Sequence, residues 1–387
     1  MTNEFDAIVL GLGGIGSGAA YWLAKSGARV AGFEQFEFGH ARGESHDHSR
    51  IIRLSYVTPA YVRLAKLAYA AWAEVERDSG EAIVYRTGGL DIGPRNGAIP
   101  LDGYAAAMRS EGVPYERIDA AEIRRRWPQF RIDDDIEALF QADGGIVAAE
   151  RATAAHQRMA LEYGAQLHER TPVDAVDCGG GEVAVRAGGI EYRAGRLIVA
   201  AGPWSAPLLE QLGCRVPLDV TKEQAMYFAV ERPDAFAIGR FPIWIWMDDP
   251  SFYGFPVFGE SGAIKITQDA GGRCVDPDTR TFDEDPAITA RVRAFVDRHL
   301  PAAGATRVIK TCLYTLTPDR DFIIDRLPNH PQVSVAIGAG HAFKFASVIG
   351  RVLARSATES VLPGGLDDFS IRRPILQLDD PPKTYMV

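Results

Sequence analysis

A cysteine near the end of the sequence lies in an unusual setting for a reactive side chain. Cys312 belongs to Lys310–Asp319 (KTCLYTLTPD), where strand-forming and hydroxyl residues precede a turn. The four cysteines of the chain are scattered, without a C-x-x-C pair or Cys/His ligand spacing, so neither a zinc site nor a disulfide framework is indicated. Cys312 is therefore either a small buried hydrophobe or a thiol nucleophile directed at a bound group.

Two lysines also occur at positions where a positive charge needs an explanation. Lys265 interrupts an otherwise apolar predicted strand (Gly262–Thr267, GAIKIT), in which a lysine usually faces solvent. Lys344 falls in the first turn of a predicted helix, where it opposes the helix dipole and calls for an anionic partner. A surface lysine paired with an acidic side chain is the simpler interpretation of Lys344.

Two arginines, Arg50 and Arg53, flank a pair of β-branched residues in the segment SRIIR. On a strand the two side chains would face opposite sides, and on a helix roughly the same side. Such a pair is often part of a solvated surface or of an ion-pair element. Alternatively, the guanidinium group of Arg53 can bind a carboxylate through two parallel hydrogen bonds.

The N-terminal segment predicts an element that would position a ligand. Phe5–Leu10 is a compact apolar strand, followed by a glycine-rich turn, a helix and a second strand at Ala28–Phe33 that ends at Glu34. This order is the βαβ dinucleotide-binding fingerprint, in which the acid accepts hydrogen bonds from ribose hydroxyls. The turn is Gly11-Leu12-Gly13-Gly14-Ile15-Gly16. Its first glycine permits the tight turn, the second lets the backbone approach a pyrophosphate, and the last allows close helix–strand packing.

Later segments predict a second layer of structure. Arg196–Ala201 and Val333–Ile337 resemble further strands of the same parallel sheet, because each ends in a loop of small residues. The aromatic-rich stretch Ile243–Phe258 predicts an antiparallel hairpin. Further strands are expected at Ala263–Thr267 and Ile309–Tyr314, and helices at Tyr61–Val75, Tyr104–Arg109, Ile288–Leu300 and Phe343–Ala354.

The sequence therefore predicts an α/β protein, with a Rossmann-like cofactor domain and an inserted antiparallel-sheet (α+β) substrate domain. The cofactor domain is expected to be discontinuous, over residues 1–85, 145–215 and 312–387. The substrate domain is expected over residues 86–144 and 216–311. A chain of 387 residues exceeds the length at which a single core usually stops growing.

Composition indicates a soluble protein that binds small molecules. The formal net charge of −9 argues against a surface for nucleic acid or anionic membranes, since either would favour a basic face. No apolar stretch reaches the roughly 18 residues needed to span a bilayer, and no secretory signal precedes the first strand. Together with the cysteine pattern, this predicts a cytoplasmic location.

Four motifs occur together in one order along the chain: Gly11–Gly16 (GLGGIG), Ser49–Arg53 (SRIIR), the Cys312 stretch with Phe322–Asp325 (FIID), and Gly340–Phe345 (GHAFKF). In this set the sequence resembles the monomeric sarcosine oxidase and N-methyltryptophan oxidase family, within the glycine/D-amino-acid oxidase group of flavoproteins. The resemblance covers nearly the whole chain. It implies that FAD is the cofactor of the Rossmann-like domain and that the protein is a monomer.

The resemblance also implies roles for the reactive side chains. Cys312 would hold FAD covalently, through a thioether to the 8α-methyl group. Arg53 and Lys344 would bind the carboxylate of the substrate, and Lys265 would activate dioxygen at the flavin face. The expected catalytic residues are Lys265, Arg50, His341 and Asp269.

The expected FAD contacts surround these residues. Backbone N–H groups of Gly340 and His341 would point at the flavin carbonyl, and His46 would lie close to the flavin. The full set is Gly11, Gly13, Gly14, Ile15, Gly16, Glu34, Gln35, His46, Ser49, Arg50, Ala201, Gly202, Cys312, Gly340, His341 and Lys344. Tyr253 and Tyr314 are expected to line the substrate pocket, although packing alone also explains buried aromatics.

The implied reaction is the oxidation of a secondary amine, such as sarcosine or a related imino acid. The resulting imine is hydrolysed to an aldehyde and an amine, and dioxygen is reduced to hydrogen peroxide. Asp269 stands where sarcosine-type members carry a histidine, so it would accept a hydrogen bond from the amine, hold a cationic group of a longer substrate, or turn outward. The alternatives are a larger or cyclic substrate (pipecolate or a glycated amino acid), a non-catalytic flavin-binding subunit, and an NAD-dependent dehydrogenase.

Overall fold

The computed structural model describes residues 3–359 and 365–384, and within them it contains three sheets and eight α-helices. The strands are β1 (Glu4–Leu10), β2 (Val30–Phe33), β3 (Ser49–Ile52), β4 (Val84–Arg86), β5 (Gly89–Pro94), β6 (Glu116–Asp119), β7 (Ile136–Gln141), β8 (Gly145–Ala148), β9 (Gln166–His168), β10 (Val173–Asp177), β11 (Val183–Ala187), β12 (Ile190–Val199), β13 (Asp219–Val230), β14 (Ile243–Trp246), β15 (Phe252–Phe255), β16 (Ala263–Gln268), β17 (Arg273–Cys274), β18 (Ala303–Leu316), β19 (Ile323–Leu327) and β20 (His330–Ile337). The helices are α1 (Gly14–Lys25), α2 (Pro59–Ser79), α3 (Leu101–Ser110), α4 (Ala120–Arg126), α5 (Ala149–Glu162), α6 (Ser205–Gln211), α7 (Pro286–His299) and α8 (Ala346–Glu359).

The first sheet is built around β1, whose neighbours β2 and β12 both run parallel to it. Parallel β9 and β20 extend the sheet on its two sides, and β10, β11 and β19 add antiparallel pairs. The predicted strands at Phe5–Leu10, Arg196–Ala201 and Val333–Ile337 are confirmed as neighbours in one parallel sheet. The Rossmann-like fold class is confirmed with them, because the carboxyl ends of these strands meet at one edge.

Helices α1, α5 and α8 pack together on one face of this sheet, where alanine and glycine allow close approach. A Cβ atom on Gly350 of α8 would lie 2.5 Å from the carbonyl carbon of Gly18 on α1. The helix predicted to begin at Phe343 begins later, because a 3₁₀ turn (Ala342–Phe345) precedes α8. Lys344 therefore lies on that turn and not in the first turn of an α-helix.

The second sheet has nine strands, in the order β17-β13-β16-β15-β14-β5-β7-β6, with β18 also paired to β13. Its strands are mainly antiparallel, and the predicted aromatic hairpin is confirmed as β14 and β15. Phe295 of α7 stacks on Trp244 and Phe252, which seals one face of the sheet as a core. The predicted domain boundary at residue 312 falls within β18, which pairs with β13 up to Leu316, and the domain bounds stay predictions.

A small third sheet is made by β3, β8 and β4, all antiparallel. It carries Arg50 on β3 and places Arg53 directly after the end of that strand. No helix in residues 3–359 and 365–384 combines the length and apolar character that crossing a membrane requires.

Candidate active site

The first cavity follows the carboxyl ends of β1, β2 and β12 and has a volume of about 480 Å³. It is walled by the glycine-rich turn, with Glu34, Gln35, Ala201 and Gly202 among its lining residues. Gly11 has φ +83°, and a Cβ atom there would lie 2.5 Å from the carbonyl oxygen of Ala200. These backbone walls fit a dinucleotide, because only glycine leaves room for a pyrophosphate to approach the chain.

Gly16 has a different role from the other glycines of the turn. It does not line the cavity, and a Cβ atom on it would lie 1.8 Å from the carbonyl oxygen of Gly11. The residue therefore permits α1 to start directly against the turn, as the fingerprint predicts. Gly13 precedes α1 as its N-cap without a side-chain cap, so the start of the helix faces the cavity.

Glu34 is the carboxylate at the far end of the first cavity. One of its oxygens accepts the N–H of Leu12 at 3.1 Å, and the other accepts the N–H of Phe36 at 3.1 Å and lies 3.5 Å from the ring of His40. Burial raises the pKa of Glu34, but His40 and the backbone N–H groups of Leu12 and Phe36 together outweigh burial, and the pKa falls below its ordinary value. The ionised carboxylate is thus held in place at the cavity wall, and its role as a hydrogen-bond acceptor for ribose hydroxyls stays a prediction.

The second cavity opens from the first and has a volume of about 130 Å³. The two cavities share Gly14, Ile15, Glu44, Ser45 and Gly338 in their walls. Four cationic side chains line the second cavity: Arg50, Arg53, Arg320 and Lys344. Apolar side chains form much of the rest of its lining, among them Ile51, Ile99, Ile245 and Met247. A small anionic molecule with an apolar part would suit this mixed lining.

Arg53 is held in the wall of the second cavity by a carboxylate that sequence reasoning missed. Its Nη1 lies 2.5 Å from Oδ1 of Asp91, whose other oxygen accepts the hydroxyl of Ser55. The guanidinium also lies over the ring of Tyr56, 5.0 Å from its centroid. Burial lowers the pKa of Arg53, but Asp91 more than compensates, so the pKa is raised and the cation is permanent. Asp91 could have been suspected from its position between Leu90 and Ile92 in an apolar strand.

Lys344 is the second cation that the sequence resemblance predicts to bind the carboxylate of the substrate. Its Nζ lies over the ring of Tyr56, 5.8 Å from the centroid. Burial and then the charge of Arg53 lower the pKa of Lys344 to about 7. An anion bound between Arg53 and Lys344 would offset both effects and restore the charge of the ammonium group.

Asp269 faces the second cavity and does not turn outward into solvent. Its Oδ2 accepts a hydrogen bond of 2.9 Å from Nη1 of Arg320, a side chain that is only 1% exposed. Sequence reasoning missed Arg320, which lies in the turn after β18 with φ +57°. The charge of Asp269 is therefore balanced by an arginine of the protein.

His341 is half-buried beside this pair, with its Nε2 2.9 Å from the carbonyl oxygen of Arg320. Its Nδ1 is buried without a hydrogen-bond partner, and burial holds the pKa of the imidazole well below its ordinary value. The backbone N–H of His341 donates to the carbonyl of Gly338 at 3.0 Å. The tight turn thus already engages this N–H, and a contact of Gly340 or His341 with a flavin carbonyl stays a prediction.

The third cavity is small, about 20 Å³, and it is where Cys312 and Lys265 meet. Burial raises the pKa of the Cys312 thiol to about 11, while Arg50 acts in the opposite direction. Lys265 is 4% exposed and donates to Oδ2 of Asp47 at 2.5 Å and to the carbonyl of Ser49 at 3.3 Å. The alternative of a solvent-facing Lys265 is thereby excluded.

The remaining predicted residues connect these cavities. The hydroxyls of Tyr253 and Tyr314 lie 3.0 Å apart and line both the second and third cavities. His46 lines the first and third, and its Nε2 is buried without a hydrogen-bond partner. Burial and Arg50 lower its pKa to about 4, so the neutral ring can accept or donate toward a ligand. Ser49 lines none of the three cavities, and it contributes its carbonyl oxygen to Lys265 and Arg50.

Comparison with known proteins identifies relatives over nearly the whole chain. Residues 6–356 match the model of the FAD dependent oxidoreductase family. Monomeric sarcosine oxidase of Streptomyces avermitilis is 36% identical over 387 residues, covering 96% of this chain and 98% of the relative. N-methyl-L-tryptophan oxidase of Salmonella arizonae is 30% identical over 376 residues, covering 96% and 99%. The solved structure of NikD, an unusual amino acid oxidase essential for nikkomycin biosynthesis, has a TM-score of 0.86 at 27% identity, covering 95% of this chain and 98% of that one.

A dinucleotide cavity that opens into a cationic cavity places the protein among enzymes that carry out redox chemistry with a bound dinucleotide. Within that class, the chain belongs to the FAD-dependent oxidoreductase family and is similar to its sarcosine oxidases over nearly its whole length. The predicted family, the FAD cofactor and the oxidase class are confirmed. The covalent link through Cys312 and the individual residue roles stay predictions.

Proposed function

We propose that the protein is an FAD-dependent oxidase of secondary amines that carry a carboxylate, such as sarcosine or a related imino acid. One observation carries the proposal: the buried guanidinium of Arg53 and the half-buried amine of Lys344 lie on the wall of one cavity, which shares wall residues with the dinucleotide cavity. A non-catalytic flavin-binding subunit would not need this pair. We also propose that the protein is a monomer, that it is located in the cytoplasm and that dioxygen is its second substrate.

The residues of the chain would bind and orient the substrate. FAD, when bound, supplies the acceptor for the two electrons of the amine and their transfer to dioxygen. Arg53 and Lys344 would hold the carboxylate, and Tyr253 and Tyr314 would confine the amine beside the flavin end of the cavity. The amine loses a hydride equivalent and a proton to become an imine, which water converts to an aldehyde and an amine. A fixed charge on Lys265 would stabilise the negative charge that develops on dioxygen.

Cys312 is proposed to hold FAD covalently, through a thioether between its sulfur and the 8α-methyl carbon of the flavin. Formation of the thioether would remove the S–H and one methyl C–H hydrogen, and FAD would accept the two electrons, which dioxygen would then take up. Arg50 and Lys265, which both face Cys312 in the third cavity, favour the thiolate that this reaction needs. Acid-precipitated protein should stay yellow, and Cys312→Ser should release the colour into the supernatant. A colourless wild-type precipitate would exclude the covalent link.

The function is tested by a peroxide-release assay with sarcosine, other N-methyl amino acids, proline, pipecolate and fructosyl amino acids. We expect turnover of at least one secondary amine and none when its carboxylate is replaced by an amide. A purified protein that is yellow but releases no peroxide with any of these amines would exclude the oxidase and favour the flavin-binding subunit.

A second candidate, the oxidation of a larger or cyclic apolar imino acid, is favoured by the lining of the second cavity. Ile99, Ile245 and Met247 offer an apolar surface that the methyl group of sarcosine would not cover. Asp269 is already paired with Arg320, which weakens the case for a cationic group on the substrate. A higher kcat/KM for pipecolate than for sarcosine would support this candidate.

A further inference from the structure

A buried ionic cluster surrounds Asp47, a residue that sequence reasoning passed over. Its Oδ2 lies 2.5 Å from Nζ of Lys265, and its Oδ1 lies 3.0 Å from Nζ of Lys310 and 2.7 Å from the hydroxyl of Tyr227. Asp47 is only 4% exposed. One carboxylate is thus shared by two ammonium groups and leaves a net positive charge at the third cavity.

The backbone at Asp47 indicates that this arrangement is maintained at a cost. Its φ is +81°, in the left-handed region that a non-glycine residue adopts rarely. Such strain persists only where surrounding contacts enforce it, and it concentrates at functional sites. The backbone N–H of Asp47 donates to Oε1 of Glu150 at 3.0 Å, and its side chain makes the three contacts described above. Tight anchoring on both the main chain and the side chain fixes the position of the carboxylate.

The cluster extends from the third cavity to the surface. Lys310 lies 3.2 Å from the ring of His48 and 3.3 Å from Oε1 of Glu260. His48 in turn lies 3.3 Å from both Glu150 and Glu260, whose side chains are 49% and 33% exposed. Lys310 is therefore partly compensated by surface carboxylates, and Asp47 remains the carboxylate that compensates the deeply buried Lys265.

An ammonium group that is buried as deeply as Lys265 loses its proton readily, because burial disfavours the charged form. Burial does lower the pKa of Lys265, and Asp47 opposes that effect. Burial raises the pKa of Asp47 itself, but Lys265 and Arg50 hold it well below its usual range, so the carboxylate stays ionised. The two groups are thus each other's main electrostatic partners.

We propose that Asp47 is the positioning residue for Lys265, holding its ammonium group protonated and directed at the third cavity, where the reaction with dioxygen needs a fixed cation. The inference rests on the proposed oxidase function. Dioxygen gains two electrons from the reduced cofactor and takes up two protons to leave as hydrogen peroxide. Lys265 supplies charge to this step and is not consumed.

The protonation of Lys265 depends on its whole surroundings. Arg50 on β3 opposes it, and the ring of Phe255 lies 5.1 Å from its Nζ. The titratable and charged side chains that face Lys265 and Asp47, directly or through Lys310, are Arg50, Tyr227, Tyr253, Tyr314, Glu223, Lys310, Cys312, His46, His48, Glu150 and Glu260. None of these side chains forms an ion pair with Lys265, and in the described part of the chain Asp47 alone does.

The first test measures protonation directly by NMR of the full-length protein with ¹³Cε-labelled lysine. The chain has seven lysines, so the signals are few, and Lys265→Met assigns the one of interest. Asp47→Asn removes the charge, while asparagine tolerates the left-handed backbone. We expect the titration midpoint of Lys265 to fall by about one pH unit or more in this variant. Tyr227→Phe, which removes a hydrogen bond to the same carboxylate and keeps the charge, is the matched control and should shift it far less.

The second test follows the reaction with dioxygen. The flavin is reduced with dithionite, so no amine substrate is needed, and reoxidation is followed by stopped-flow absorbance. In Asp47→Asn the rate constant of flavin reoxidation should fall about tenfold at about pH 9 and recover at lower pH. The pH midpoint of this recovery should equal the titration midpoint of Lys265 measured by NMR. Failure to find an amine substrate would refute the proposed function, but it would not change the result of this reoxidation measurement.

An unchanged Lys265 midpoint in Asp47→Asn would overturn the proposal, and so would a lowered midpoint with an unchanged rate at every pH. If Asp47→Asn does not fold, Lys310→Gln provides the deciding measurement. Removing Lys310 leaves Lys265 as the remaining ammonium group that contacts Asp47, so the titration midpoint of Lys265 should rise. A midpoint that stays or falls in Lys310→Gln would overturn the proposal as well.

Discussion

At the scale of single residues, the site is a set of buried charges in pairs. Arg53 and Asp91 form such a pair, with both side chains less than a tenth exposed. The desolvation of two charges is costly, so a buried pair adds little net stability, whereas removal of one partner leaves an uncompensated charge. The value of the pair lies in orientation, because Asp91 fixes the guanidinium that the substrate carboxylate would meet.

Replacing Asp91 with asparagine should therefore reduce both stability and substrate binding. We expect the free energy of unfolding to fall by about 3–5 kcal/mol, as for other buried pairs that lose one partner. KM for a carboxylate substrate should rise about tenfold or more, since Arg53 loses its anchor. The matched control is Asp102→Asn, which breaks the exposed pair with Arg117 and should change stability by about 1 kcal/mol at most. Unchanged KM in Asp91→Asn would contradict the orienting role.

Lys344 gives a prediction with a defined pH direction. Its pKa in the folded protein is lowered to about 7, below the value of about 10.4 for an unfolded lysine. The free protein therefore carries this charge below pH 7 and loses it as the pH rises above that value. Stability should correspondingly increase between these two pKa values, because the unfolded chain binds the extra proton there.

Binding of a simple carboxylate such as acetate should thus weaken as the pH rises above about 7, by up to tenfold per pH unit. The dissociation constant can be measured from the flavin absorbance. Lys344→Met should bind acetate weakly and without this pH dependence, since Arg53 does not titrate in the range. A wild-type affinity that is constant from about pH 6 to 9 would rule out a titrating lysine at the site.

At the scale of elements, close helix packing sets the position of the glycine-rich turn. The contact of Gly350 on α8 with Gly18 on α1 holds α1 against the sheet. Gly350→Ala should lower the free energy of unfolding by about 1–3 kcal/mol, because overpacking outweighs the better helix propensity of alanine. Gly103→Ala on α3 meets only the side chain of Val57, so it should be neutral or stabilise by up to about 1 kcal/mol. Thermal unfolding of the two variants compares them directly, and equal effects would refute the packing argument.

The elements also show which features a sequence can predict. The βαβ unit and the aromatic hairpin depend on local patterns, and both were predicted close to their observed bounds. Asp47 and Lys265 are 218 residues apart, so their contact depends on two sheets meeting. Arg320 lies in a turn whose local sequence suggests an exposed loop, and only the tertiary structure buries it. Motif resemblance located Arg53 and Lys265, and it could not locate Asp91 and Asp47, the carboxylates that pair with them.

At the scale of the whole molecule, the wall of the first cavity includes a loop that belongs to the second sheet. The loop after β17 reaches across, with Asp278 accepting from Nε1 of Trp204 at 2.7 Å. In the same loop, Arg280 donates to the carbonyls of Ala41 and Arg42 at 3.1 and 3.0 Å. A ligand in this cavity therefore contacts both halves of the protein, and its binding should stabilise them as one unit.

Removal and return of the cofactor tests this coupling in Cys312→Ser, where no covalent bond would retain FAD. Flavin-free protein should unfold at a lower temperature, and added FAD should restore stability by about 2.7 kcal/mol at a concentration 100-fold above its dissociation constant. FMN lacks the adenosine part that the Glu34 end of the cavity would bind, so it should restore far less. Thermal unfolding at increasing ligand concentration measures both. Equal stabilisation by FMN and FAD would show that the glycine-rich turn and Glu34 do not bind the dinucleotide, and the assignment of the first cavity would then be wrong.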